Sequence, residues 1–287
     1  MTQRPFKQVD VFTTTPNRGN PLAVVLDGHG LSTETMQHFT NWTNLSEAAF
    51  VLAPTPQGAA SGADYQVRIF CPGRELPFAG HPTLGSCHAW LEAGGQPHHS
   101  EFIVQECGAG LIRLKRDTVH GQQQLAFVAP PLQRSGPLDE ADVALIARGL
   151  GVDRKDILHH AWCDNGPGWR SVMLPSAAQV LALTPDRVAL DGLEIGVVGP
   201  HPGGHDCAFE VRAFFPGNHG LVEDPVTGSL NAAMAQWLIG AGLAPDRYQV
   251  AQGTALARAG RVQVSRQSAD IWIGGASVTC VEGHVRL

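Results

Sequence analysis

The sequence predicts an α+β fold in which one strand–loop–helix–hairpin unit occurs twice. Three observations carry that expectation. A nine-residue strand motif recurs in the two halves, each copy leads into a helix of small residues, and strands cluster in runs instead of alternating strictly with helices. The architecture expected is two similar domains, each a curved, mostly antiparallel sheet wrapped around a central helix. The expected division is 1–128, completed by a C-terminal segment 274–287, and 129–273.

The strand comes first. Tyr65-Gln-Val-Arg-Ile-Phe-Cys-Pro-Gly73 is answered by Phe209-Glu-Val-Arg-Ala-Phe-Phe-Pro-Gly217, with Val67, Arg68, Phe70, Pro72 and Gly73 recurring as Val211, Arg212, Phe214, Pro216 and Gly217. Each copy alternates as a strand does, and Pro-Gly is expected to end it. A polar loop is expected next, over residues 74–82 and 218–229. The helices follow, Thr83 to Leu91 and Leu230 to Leu238, both ending in Trp-Leu and glycine. Their Ala, Gly and Ser content lets strands approach closely. Each helix leads into a Gly-punctuated hairpin, one over Phe102–Leu114 and one over Tyr248–Leu256 and Arg261–Val264.

Bulk properties set the class. The chain has 287 residues, enough for two domains, and is 43% hydrophobic and 16% charged, which supports sizeable cores. Its formal net charge is −6 with no basic stripe, which argues against nucleic acid as a partner. No apolar run approaches the roughly 20 residues of a membrane span, and the N-terminus lacks the apolar core of a signal peptide. The six cysteines are scattered without a CxxC pair, as in reduced cytoplasmic proteins. A soluble, cytoplasmic protein is expected. The histidines His98-His99, His159-His160, His201 and His205 form no i, i+4 pair on a helix, since the Gly-Gly between His201 and His205 reads as a loop, so no metal is expected. Gly108-Ala-Gly110 reads as a hairpin turn, not a dinucleotide loop, and there is no P-loop.

Chemistry concentrates at two helix starts, Ala79-Gly80-His81-Pro82 and Val226-Thr227-Gly228-Ser229. Helix N-termini carry unpaired N–H groups and partial positive charge and hold carboxylates well. If the repeats face each other across a pseudo-twofold axis, both ends point into one cleft, suited to a small carboxylate. Glu47 leads straight into the apolar run Ala48–Leu52, where desolvation of its charged form would tune it for proton transfer near neutral pH. His81 stands where the helix end favours neutral imidazole. Asp224 could orient His81 or serve as a second carboxylate, and Ser229 could cap its helix or bind substrate. No acid equivalent to Glu47 is apparent before Phe209.

Five segments in order resemble the PhzF-like (phenazine biosynthesis) proteins: Gly19-Asn-Pro-Leu-Ala-Val-Val25, Asn44-Leu-Ser-Glu47, Glu75-Leu-Pro-Phe-Ala-Gly-His-Pro-Thr83, Glu106-Cys-Gly-Ala-Gly110 and Glu223-Asp-Pro-Val-Thr-Gly-Ser229. The resemblance implies a fold similar to diaminopimelate epimerase, with the site in the cleft, no cofactor, no metal and a homodimer. Members in phenazine pathways isomerise trans-2,3-dihydro-3-hydroxyanthranilate by moving a proton from C3 to C1. By the same resemblance Glu47 is the general acid/base, His81 and Asp224 assist proton handling and substrate binding, and Gly80, Gly228, Ser229 and Asn20 contact substrate. Two departures matter. Glu47 precedes Ala48-Ala49 where many relatives have Thr-Thr. The paired cysteines of epimerases with this fold are absent, Gly80 and Thr227 standing near their positions. One-base chemistry through Glu47 is therefore expected. Two other readings stay open: an amino-acid epimerase, which needs a second base, and a non-catalytic small-molecule binding protein.

Overall fold

Gln3–Val11 (β1) and Asn20–Val25 (β2) open the computed structural model, which describes residues 2–119, 122–217 and 220–287. They belong to the first of two units, Met1–Val128 with Gly274–Leu287. α1 (Thr33–Thr43) follows, started by Ser32, whose hydroxyl accepts from Thr35 N, and ended by Asn44 in the left-handed region at φ 58°. Its buried residues Met36, Phe39 and Thr40 keep the i, i+3, i+4 spacing of one helical face. β3 (Ala48–Leu52), α2 (Pro56–Ala60), β4 (Tyr65–Cys71), β5 (Arg74–Leu76), α3 (Gly80–Glu92), β6 (Phe102–Cys107), β7 (Gly110–Val119) and β8 (Gln122–Val128) complete this run. β1–β2 is antiparallel, β2–β3 parallel, β3–β4 and β4–β5 antiparallel, β4–β6 parallel, and β6–β7–β8 antiparallel.

The second unit, Ala129–Ile273, repeats that order. It begins with α4 (Glu140–Leu150), whose buried Val143, Ile146, Ala147 and Leu150 line one face before Gly151 ends it at φ 70°. Then come β9 (His159–Trp162), β10 (Arg170–Met173), α5 (Ala177–Ala182), β11 (Ile195–Pro200), β12 (Phe209–Gly217), β13 (Gly220–Asp224), α6 (Gly228–Gly240), β14 (Arg247–Gln252), β15 (Gly260–Gln267) and β16 (Asp270–Gly275). β9–β10 is antiparallel, β10–β11 parallel, β11–β12 and β12–β13 antiparallel, β12–β14 parallel and β14–β15 antiparallel, the same succession as β1 to β7. The last strand, β17 (Ser277–Arg286), pairs antiparallel with β1 from Gln3↔Arg286 to Val11↔Ser277, with an irregularity at Gln8/Val9. This is the α+β architecture the sequence predicts.

Small residues explain the two long helices. α3 and α6 are buried almost all round and pack against the strands of their own unit. A Cβ at Gly85 would come within 2.6 Å of Leu22 and 2.9 Å of Val11; one at Gly196 of β11 would come within 2.5 Å of Leu230 and 2.6 Å of Met234. Any side chain there would push helix from strand. The recurring arginine has an equally local cause. Arg68 forks onto Glu75 through Nε at 2.8 Å and Nη2 at 2.5 Å, and Arg212 onto Glu223 at 2.9 and 2.7 Å. Each pair staples a strand to the short strand that returns beside it. Beside β3, Phe39, Phe50 and Phe70 stack edge to face at 5.9 and 5.7 Å, and burying each ring contributes about 1.5–3 kcal/mol.

Some expected boundaries differ. The segments read as polar loops contain β5 and β13, which pair back onto β4 and β12. The first motif strand ends before Pro72-Gly73, but β12 runs through Pro216 and Gly217 because Pro216 pairs with Leu221 and Gly217 with Gly220. Positions 218 and 219 of the expected loop lie outside the described residues. Both helices start earlier than expected, at Gly80 and Gly228. Among the described residues no helix is long and apolar enough to cross a membrane.

Candidate active site

Glu47 owes its place to the end of α1. Asn44 takes the left-handed conformation that Asn tolerates better than most residues, turning the chain out of the helix. Leu45 then packs against the Phe39/Phe50/Phe70 core, and Ala48 enters β3 fully buried. Glu47 lies between them with 17% of its side chain exposed. His81, in the first turn of α3, is 4% exposed and brings Nε2 to 3.5 Å from Glu47 Oε2. Asn20, the first residue of β2 and also buried, approaches the other ring nitrogen, with Nδ2 3.4 Å from Nδ1. Asp10 fixes the turn before Asn20 by accepting from Arg18 N at 2.7 Å and Gly19 N at 2.9 Å.

These contacts bear on the tautomer of His81. With the Asn20 amide nitrogen turned toward it, Nδ1 serves as acceptor, the arrangement that leaves the ring proton on Nε2, the nitrogen nearer Glu47. Burial pushes the imidazolium pKa down to about 3. His81 is therefore neutral at any working pH and offers a hydrogen bond, not a positive charge. The 3.5 Å separation from Glu47 is longer than a formed hydrogen bond.

The remaining expected residues belong to the second unit. Asp224 ends β13, buried, and accepts from Thr227 Oγ1 at 2.6 Å. Gly228 is the first residue of α6. Ser229, expected as a possible cap, is not one. The capping position is Thr227, and the Ser229 hydroxyl accepts from Trp169 Nε1 at 3.1 Å while its carbonyl accepts from Asn165 Nδ2 at 2.9 Å. The sequence carries no signal for Asn165 or Trp169, which reach Ser229 from the β9–β10 connection.

An equivalent of Glu47 does exist in the second half. β3 opposes β4 with Ala48↔Phe70, and β11 opposes β12 with Ile195↔Phe214. Phe70 and Phe214 are the same position of the repeat, so Glu47 and Glu194 are register equivalents. Only the acid is shared between Glu47-Ala-Ala-Phe and Glu194-Ile-Gly-Val, which hides the match in sequence. What differs is the helix start: His81 with Asn20 in one unit, Ser229 with Trp169 in the other.

Helix capping separates these two starts from the rest. α1, α2 and α5 are capped by Ser32, Thr55 and Ser176. α4 lacks a capping bond but has Glu140 and Asp142 in its first turn. α3 and α6 have neither a side-chain cap nor an acidic residue in the first turn, leaving their N–H groups for an anion. Neither thiol near the first helix start is activated: Cys87 inside α3 is fully buried, with its pKa pushed up to about 12, and burial raises that of Cys71, which also feels the charge of Glu47. Among the described residues no group of three His, Cys, Asp or Glu is arranged to hold a metal. His201 instead pairs with Glu210 at 3.2 Å and stacks on His205 at 3.8 Å.

Comparison with known proteins identifies the family of the chain. The model of the phenazine biosynthesis-like protein family, PhzC-PhzF, matches residues 9–283. Antisense-enhancing sequence 1 of Schizosaccharomyces pombe is 36% identical, covering 99% of each chain. The trans-2,3-dihydro-3-hydroxyanthranilate isomerase of Pseudomonas chlororaphis is 34% identical over 79% of this chain and 77% of that one. A crystal structure of a PhzF-family phenazine biosynthesis protein from Bacillus anthracis has the same fold, with a TM-score of 0.83 at 23% identity over 100% of both chains. By family model, sequence and fold together, the chain belongs to the phenazine biosynthesis-like PhzC-PhzF family and is an enzyme of the isomerase type.

Proposed function

We propose that this enzyme is a cofactor-independent isomerase that moves a proton between two carbons of a small carboxylate, with Glu47 as the group that takes the proton and returns it. The observation that carries the reading is the neutral His81 presenting Nε2 toward Glu47 at an uncapped helix start. A carboxylate is a competent base toward a carbon acid only if charge developing on the substrate is stabilised. The Nε2–H of His81 and the open amides at Gly80 supply donors for that charge. Asn20 holds the imidazole tautomer. Asp224, Gly228 and Ser229 are assigned to proton handling and carboxylate binding by the family pattern. Substrate resembling trans-2,3-dihydro-3-hydroxyanthranilate, which the Pseudomonas relative isomerises by name, is the first to test. The family resemblance supports a homodimer, which light scattering of the purified protein tests, and the scattered cysteines support a cytoplasmic location.

Thermal-shift screening with cyclic and amino-acid carboxylates selects the ligand. Proton NMR in D2O then follows wash-in at the reacting carbons. Glu47→Gln abolishes wash-in while the variant melts as the wild type does. Normal turnover by that variant overturns the assignment. Wash-in at both faces of one stereocentre would instead mark an epimerase.

A further inference from the structure

Gln252, the last residue of β14, is fully buried and makes three hydrogen bonds to the Asp224–Thr227 segment that joins β13 to α6 and a fourth to Asn231 of α6. Its Oε1 accepts from Thr227 N at 3.0 Å and from Asn231 Nδ2 at 2.8 Å. Its Nε2 donates to Asp224 O at 3.2 Å and to Thr227 Oγ1 at 2.9 Å. A backbone N–H only donates and a backbone carbonyl only accepts, so the amide has one possible orientation. The Thr227 hydroxyl must then accept from Gln252, which directs its own proton onto Asp224 Oδ2 at 2.6 Å. Asn231, also buried, completes the set by donating to Thr227 O at 2.8 Å.

The backbone on either side of this amide is closely packed. Gly253 sits at φ +86°, and a Cβ there would lie 2.5 Å from Pro225 O. Gly260, opposite Gln252 in the β14–β15 register, would place a Cβ 2.4 Å from Val226 Cγ2. The hairpin end is fitted directly against residues 225 and 226.

We propose that Gln252 is a positioning residue: through the Thr227 hydroxyl it fixes the rotamer and hydrogen bonding of the Asp224 carboxylate. A buried, fully satisfied chain of this kind specifies one geometry. The proposal rests on the reading of Asp224 as a proton-handling group. It assigns Gln252 and Thr227 an influence on turnover without any contact with substrate.

The test uses Gln252→Glu, which keeps the shape but loses the amide donors, and Thr227→Val, which removes only the hydroxyl. With trans-2,3-dihydro-3-hydroxyanthranilate as the probe, each variant should lower kcat at least about tenfold and leave KM within about twofold. The double variant should be no more than about twofold slower than the slower single, because both cut one chain. Thr227→Ser should recover kcat to within about threefold of wild type. Unchanged kcat in a folded variant, or effects that multiply, overturns the proposal. Should Gln252→Glu fail to fold, Thr227→Val and Thr227→Ser carry the test. A second readout needs no substrate: the carboxyl 13C resonance of Asp224 is displaced in Gln252→Glu and Thr227→Val and stays at its wild-type position in Thr227→Ser. An unmoved resonance in the first two overturns the positioning role. Absence of turnover by the wild type would defeat only the choice of reaction and leave the resonance measurement standing.

Discussion

Glu47 and Glu194 occupy one register position in two copies of a unit, yet their surroundings differ in the residue that matters for proton transfer. Glu47 faces a neutral imidazole held by Asn20, whereas the matching helix start carries Ser229 bonded to Trp169. Glu47→Gln should therefore cost three orders of magnitude or more in turnover, on the order of 4 kcal/mol of transition-state stabilisation. Glu194→Gln should stay within about threefold of wild type. Steady-state kinetics on the pair decides whether one carboxylate or two take part. His81 gives a separate prediction in pH. Its folded pKa, about 3, lies below its ordinary 6.5, so the folded state binds fewer protons between those values. The associated stability is fully present above pH 6.5 and is lost as pH falls toward 3. His88, His160 and His201 shift in the same direction through burial, so the wild-type loss is a sum. His81→Gln should shallow the acid limb of a urea-unfolding stability curve relative to wild type; an unchanged limb would contradict the buried neutral imidazole.

At the scale of elements, the two arginine staples offer a controlled comparison. Arg68 and Glu75 are 25% and 38% exposed, Arg212 and Glu223 only 7% and 11%. Arg212 also donates to the carbonyls of Val180 and Leu183 at the end of α5. Arg68→Met should cost about 1 kcal/mol or less. Arg212→Met leaves the largely enclosed Glu223 carboxylate without its partner and should cost about 3 kcal/mol. Urea unfolding of the two variants measures both. This contrast also shows what was legible in the sequence. The recurrence of Val, Arg, Phe, Pro and Gly announced the repeat, and the small-residue helices announced how it packs, because both are local patterns. β5 and β13 were read as loops since they are short, rich in charged residues, and formed only by pairing with β4 and β12. Glu47, His81 and Asn20 came from motif context. Glu194, Trp169 and Gln252 did not, because register, a loop crossing to a helix start and a buried amide leave no periodic trace.

For the whole molecule, the prediction concerns ligand and fold together. A carboxylate at one hundred times its Kd adds about 2.7 kcal/mol of stability, which for a chain of this size raises Tm by roughly 5 °C. The Glu47→Gln variant should retain that shift, since the donors at Gly80 and His81 remain, and differential scanning fluorimetry checks it. The last strand adds a constraint of another kind. β17 pairs along β1 and is held at its end by Leu287 N donating to Thr2 O at 3.1 Å, yet it follows all of the second unit in sequence. That ladder joins strands separated by the whole of the second unit, so its closure must gather in a long intervening segment, whereas the β14–β15 hairpin closes locally. In pulse-labelled hydrogen exchange during refolding, amides of the β1–β17 ladder should become protected later than those of β14–β15, and earlier protection would contradict this.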